Sequence, residues 1–326
     1  MRLRGSGRSG SARFRAGRLA ASAAVAATVG VVGVQSESAS AQGVTSSGVA
    51  ATGIPSTSVT AAGVPGGGMS CQLPSGQGYW EVASDGGVFT YGAAGYYGST
   101  GNERLNRPVV GMAPSYNNRG YFLVASDGGI FTFGNAPYEG SQGGQHLNQP
   151  VVGMATTPDG QGYWEVAADG GIFSHGDAQY YGSMGGIHLN KPIVGMAATP
   201  DGRGYWLVAS DGGIFTFGDA TYYGSTGAEH LNKPVVAIAA TRNGNGYRLT
   251  ATDGGVFNFG PGARYYGSEG GKKLNKPVEG IASTFPGEGY TLSASDGGIF
   301  NFGDSQFCGS AGGSPLNKPV VGISFF

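Results

Sequence analysis

The chain has 326 residues, 65 of them glycine, and only 12% are charged. Nineteen basic against twenty acidic side chains give a formal net charge of −1. That excludes a strongly basic nucleic-acid binder, whose affinity rests on neutralising phosphates.

Residues 1–41 read as a secretory leader. Arg2, Arg4, Arg8, Arg13, Arg15 and Arg18 form a basic start, Leu19 to Val34 is an apolar Ala/Val-rich run, and Ala39-Ser40-Ala41 offers an A-x-A cleavage site. The alternative, an uncleaved anchor, needs about 20 apolar residues to span a bilayer, and this run is shorter. No cysteine follows the cleavage site, which speaks against a lipoprotein, and no other stretch is apolar enough to cross a membrane. Loss of the leader removes six arginines and Glu37, leaving 13 basic against 19 acidic side chains, a net charge of −6. The expectation is a mildly acidic domain that is secreted, either extracellular or associated with the cell wall. Residues 42–68 hold Gly, Ser, Thr, Ala, Val and Pro with no charge. Such a segment buries too little surface to fold by itself and reads as a flexible linker.

From 69 to 326 the sequence repeats. Gly-Tyr pairs at 78, 120, 162, 204, 246 and 289 are spaced by 42, 42, 42, 42 and 43 residues. A Pro-Val-Val-Gly-like run precedes every pair but the first, and the last such run, Pro319 to Ile323, has no pair after it. The chain therefore begins inside a unit and ends by supplying the piece its first unit lacks. An open stack gains little from that offset, whereas a ring uses it as a clasp. In the unit from Lys191, Pro192–Ala198 reads as strand A and Thr199-Pro200-Asp201-Gly202 as a turn. Tyr205–Ser210 reads as strand B, Asp211-Gly212 as a two-residue hairpin, and Gly213–Phe217 as strand C. Thr221–Ser225 reads as a short strand D. This hairpin sets Trp206 opposite Phe217 and Val208 opposite Phe215. Both faces of the B–C hairpin are apolar and need covering. Small residues at the centre of strand A (Gly111, Gly153, Gly195, Ala237, Gly280, Gly322) suit crowding near an axis. The predicted fold is all-β: a six-bladed β-propeller of four-stranded antiparallel blades, closed by the C-terminal strand completing the N-terminal blade. A parallel β-helix is the competing repeat fold, but Asp-Gly hairpins do not join its strands.

Units such as Gly204–Ala220, GYWLVASDGGIFTFGDA, resemble the repeats of secreted actinobacterial proteins, arrays in the style of WD40 and Kelch propellers without either signature. The resemblance covers about 78–324. It implies an exported propeller and no particular activity.

Cys71 opens the first unit and Cys308 sits late in the last. A ring makes these regions neighbours, and an exported protein meets oxidising conditions. A disulfide between them is the favoured reading, against two unrelated buried thiols.

Enzyme signatures are missing: there is no G-x-S-x-G, no H-E-x-x-H and no cysteine metal spacing. No cofactor is implied. His146, His188 and His230 share one repeat position with Arg104 and Lys273. A blade spacing separates them, which favours solvated loop side chains over a metal site. His175 replaces a strand C aromatic and is expected to face Trp164 as a packed core residue. The turn aspartates Asp85, Asp127, Asp169, Asp211, Asp253 and Asp296 are explained by their turns. Arg107, Lys191, Lys233, Lys276 and Lys318 precede the proline of strand A, with Gln149 as the exception. In a ring they encircle one mouth of the axial channel, either as an anion site or as solvated charges offset by the turn aspartates. The D–A connection is the longest and most varied loop, which makes it the candidate recognition surface. In the tyrosine pairs at 96–97, 180–181, 222–223 and 265–266, either one ring points outward to stack on a sugar or both pack between blades.

These readings point to a non-enzymatic binding module for a glycan or cell-wall polymer. Candidate ligand-binding residues are Arg104, Arg107, His146, His188, Lys191, His230, Lys233, Lys273, Lys276 and Lys318. A protein-interaction scaffold is the alternative, and a hydrolase or lyase at the channel mouth a weaker one.

Overall fold

The computed structural model describes residues 77–325 apart from Pro286. The leader, the linker and Cys71 lie outside the described residues. Among the described residues there is no helix, and therefore none long and apolar enough to cross a membrane.

Eighteen strands form six three-stranded antiparallel sheets. Blade 2 contains β3 (Val109–Pro114), β4 (Gly120–Ala125) and β5 (Ile130–Gly134). Blade 3 contains β6 (Val151–Thr156), β7 (Gly162–Ala167) and β8 (Ile172–Gly176). Blade 4 contains β9 (Ile193–Ala198), β10 (Gly204–Ala209) and β11 (Ile214–Gly218). Blade 5 contains β12 (Val235–Ala240), β13 (Tyr247–Ala251) and β14 (Val256–Phe259). Blade 6 contains β15 (Val278–Ser283), β16 (Gly289–Ala294) and β17 (Ile299–Gly303). Blade 1 joins β1 (Gly78–Ala83) and β2 (Val88–Gly92) to β18 (Val320–Phe325), which pairs antiparallel with β1, Trp80 opposite Ser324 and Glu81 opposite Ile323. This arrangement fits a six-bladed β-propeller.

The first strand of each blade contacts its counterparts in the adjacent blades, in the order β3, β6, β9, β12, β15, β18 and back to β3. Their central glycines permit that approach: a Cβ on Gly153 would stand 3.7 Å from Gly195 Cα. The middle strands are buried throughout, and aromatic and aliphatic side chains pack from blade to blade. Fully burying one such side chain contributes about 1.5–3 kcal/mol, so six covered sheets need no disulfide to form a core.

Two expectations are corrected. The B–C loop has three residues, not two. The Ala209 N–H donates to Gly213 O (2.8 Å) and the Gly212 N–H to Ala209 O (2.8 Å), and Gly212 lies at φ 78°. This is a type I turn followed by a left-handed residue. It moves the register by one, placing Tyr205 opposite Phe217, Trp206 opposite Thr216 and Val208 opposite Ile214. The blades also have three strands, not four. The segment after the third strand forms no ladder, because its backbone is bound by side chains.

Candidate functional site

Each Gly-Tyr tyrosine ties this fourth segment to the adjacent blade. The Tyr205 hydroxyl donates to Gly182 O (2.6 Å) and accepts from the Tyr181 N–H (3.1 Å). Tyr121, Tyr163, Tyr247 and Tyr290 do the same in their blades. Across the two chain ends, Tyr79 donates to Gly309 O (2.5 Å) and accepts from the Cys308 N–H (3.1 Å). The glycine of this segment leaves room for a ring of the neighbouring blade: a Cβ on Gly182 would stand 2.7 Å from Phe217, and one on Gly309 2.6 Å from Tyr91. The indoles of Trp80, Trp164 and Trp206 donate to the same segment in their own blades, each at 2.8 Å.

This anchoring separates the two members of each tyrosine pair. The second turns inward: Tyr181 packs on Tyr205, and Tyr223 on Tyr247. The first turns out. Tyr96, Tyr138, Tyr180, Tyr222, Tyr265 and Phe307 hold one repeat position and are all 56–61% exposed. The hydroxyls of Tyr96, Tyr138, Tyr222 and Tyr265 donate to the serine three residues on, at 3.1–3.3 Å. The result is six aromatic platforms, four of them with their orientation fixed.

All ten candidate ligand-binding residues are exposed. Lys191, His230 and Lys233 share a groove with Asp211 and Glu229, and Lys318 lines another with Asp85. Acids therefore accompany the cations brought together there. Arg104, Arg107, His146, His188, Lys273 and Lys276 sit on the equivalent loops of other blades. Among the described residues no three metal-ligating side chains converge. The six turn aspartates each accept the N–H two residues on, at 2.9–3.1 Å, which satisfies their turn role.

The opposite mouth of the axis carries a surface that sequence reasoning missed. A funnel of ≈ 630 Å³ is lined by Tyr116, Pro158, Pro200, Arg242, Phe285 and Phe325, among others. The first five are apices of the turns between the first and second strands. Four of these apices lean on the next blade's turn glycine: Tyr116 on Gly160, Pro158 on Gly202, Pro200 on Gly244, Arg242 on Gly287. Tyr116 is 70% exposed, and the Arg242 guanidinium lies 3.6 Å over the Phe285 ring. The signal was present in the sequence: Tyr116, Arg242 and Phe285 break the Pro-Asp-Gly turn seen at Pro158 and Pro200. Deeper in the axis, Glu279 stands where other blades carry valine, and burial raises its pKa.

Three buried polar groups depart from the repeat. Glu81 is fully buried, and burial pushes its carboxyl up to about 8. Glu165 is also fully buried and raised by burial, opposed by His175, whose Nε2 lies 3.1 Å from Oε1. His175 is packed, as expected, but stands opposite Tyr163 rather than Trp164, in line with the one-residue register shift. Arg248 fills the tryptophan position of blade 5, where its Nη1 donates to Ser283 Oγ (3.0 Å).

No protein-family profile and no curated protein matches this chain. Among solved structures it is similar to the β-propeller domain of Cps50 (Swd1) from Myceliophteria thermophila, at 12% identity over 67% of this chain and 71% of that one, with a TM-score of 0.44. The strand pairing itself defines the class: an all-β repeat protein of six antiparallel sheets in propeller style.

Proposed function

We propose that this protein is an exported, non-enzymatic propeller that binds a glycan or cell-wall polymer through its six aromatic platforms. The ring closes through β18, with a Cys71–Cys308 disulfide as a second clasp at the same seam. The platforms carry the reading. A flat, exposed ring whose hydroxyl is already held loses little conformational freedom when a sugar stacks on it, and aromatic residues supply contact area at low entropic cost. Six copies on one frame suit a repeating polymer, because several weak contacts made together give avidity. The variable loops that follow the platforms in sequence, including His146, His188 and His230, would supply polar contacts to a polymer long enough to reach them.

The test is sedimentation of the purified chain with insoluble cell wall, before and after removal of secondary polysaccharides. Replacing Tyr96, Tyr138, Tyr180, Tyr222 and Tyr265 together by Ala is expected to abolish sedimentation. A single replacement should weaken it only several-fold, because avidity is shared. Equal sedimentation of the five-fold variant would overturn the platform reading. No sedimentation of the native chain with either preparation would favour the protein-interaction scaffold instead.

A further inference from the structure

The funnel on the opposite mouth has a composition of its own. Arg242 is the sole charged side chain among its described lining residues, both at the rim and further down the wall. No Asp or Glu lines it, in contrast to the grooves around Lys191 and Lys318. Arg242 is held by its face on Phe285, which leaves the N–H edge of the planar guanidinium to meet a ligand. Burial lowers its pKa with no carboxylate opposing the shift. Tyr116, Pro158, Pro200 and Phe325 add flat apolar walls, and Gln77, Asn118 and Thr156 add neutral polar groups.

We propose that this funnel binds the anionic end of an acidic saccharide, with Arg242 gripping a single carboxylate and the aromatic and proline walls holding the sugar ring. Three features select that class. A stacked guanidinium presents a fork that matches a carboxylate in two parallel hydrogen bonds. One cation with no acid at the rim or upper wall, Glu279 lying deeper in the axis, balances one negative charge, which fits a uronate or a phosphodiester better than a doubly charged phosphomonoester. The apolar walls and neutral amides suit a ring bearing hydroxyls. The funnel occurs once per molecule, whereas the platforms occur six times, and the two sites lie on different elements. The proposal therefore does not depend on the platforms.

Calorimetric titration of the full chain with trigalacturonate tests it, alongside the methyl-esterified trimer and a glycerol phosphodiester oligomer. The expected result is saturable binding at one ligand per chain, weakened at least about tenfold by R242Q and by esterification. Lysine at 242 should restore it only in part, because it lacks the fork. F285L should weaken binding while leaving the thermal midpoint in place, which separates loss of the grip from loss of the fold. Preference for the phosphodiester, still lost in R242Q, would keep the site and change the anion. No saturable binding of any anionic probe, a stoichiometry near six, or full binding by R242Q would overturn the proposal. R242Q should sediment with cell wall like the native chain, and the five-fold platform variant should still bind trigalacturonate, so each reading fails separately.

Discussion

Glu81 occupies a position that four other middle strands give to leucine: Leu123, Leu207, Leu249 and Leu292. It is buried at the seam between blades 1 and 6. Burial raises its pKa from 4.5 to about 8, while the Ala311 backbone and the Tyr91 hydroxyl pull it down. A carboxyl raised on folding keeps its proton in the folded chain over a range where the unfolded chain has released it. Its contribution is therefore complete below pH 4.5, is lost as pH rises through about 8, and is constant above. At ~1.4 kcal/mol per pKa unit the loss has an upper limit of about 5 kcal/mol. Glu81→Leu should flatten the stability profile between pH 4.5 and 8.5 and raise the urea midpoint at pH 8.5. An unchanged slope in the variant would show that Glu81 is not the titrating group. Glu165 titrates in the same direction but has His175 beside it, so a residual slope in the Glu81 variant points there.

The tyrosine of each Gly-Tyr pair makes one blade hold the next. Tyr205→Phe keeps the ring in its apolar setting and removes the hydroxyl, leaving Gly182 O and the Tyr181 N–H without their partner. A fully buried orphan costs about 1–3 kcal/mol, and these two are part-buried, so a loss of roughly 1–3 kcal/mol in urea unfolding is expected. Tyr222→Phe loses one exposed bond to Ser225 and serves as the control. If the two variants unfold alike, the tyrosine latch does not hold blades together. The same residues show what was legible in the sequence. The Gly-Tyr spacing and the Asp-Gly turns located every middle and outer strand. The register slipped because Asp-Gly is shared by two- and three-residue loops, and only the Ala209–Gly213 pairing distinguishes them. Thr221–Ser225 has the pattern of a fourth strand, but Gly224 sits at φ 132° and its carbonyl is taken by Tyr247 from the next blade, a long-range contact no local pattern encodes. The funnel went unread because its residues lie about 42 positions apart and meet only around the axis.

At the scale of the molecule, the two ends of the repeat array meet in one blade. β18 supplies the inner strand of blade 1, and Tyr79 reaches Gly309 and Cys308 in the same geometry that joins consecutive blades. An inner strand removed from this position leaves β1 with an unpaired edge between two blades, and bare strand edges recruit other chains. Deletion of residues 319–326 is therefore expected to give a chain that self-associates in size-exclusion chromatography with light scattering and unfolds over a broad transition. A synthetic peptide of that sequence should restore a monomer and a sharper calorimetric peak. The proposed Cys71–Cys308 disulfide would be a second and separable clasp. Reduction of the full chain should lower stability by up to ~5 kcal/mol, the chain-entropy limit for so long a loop, yet leave a cooperative transition, because the β18 ladder and the tyrosine latch remain. A truncated chain that stays monomeric with the native midpoint would show that six blades cohere without the seam, and the offset of the repeat would then need another explanation. Loss of cooperativity on reduction alone would instead make the disulfide, and not the strand, the element that holds the two ends together.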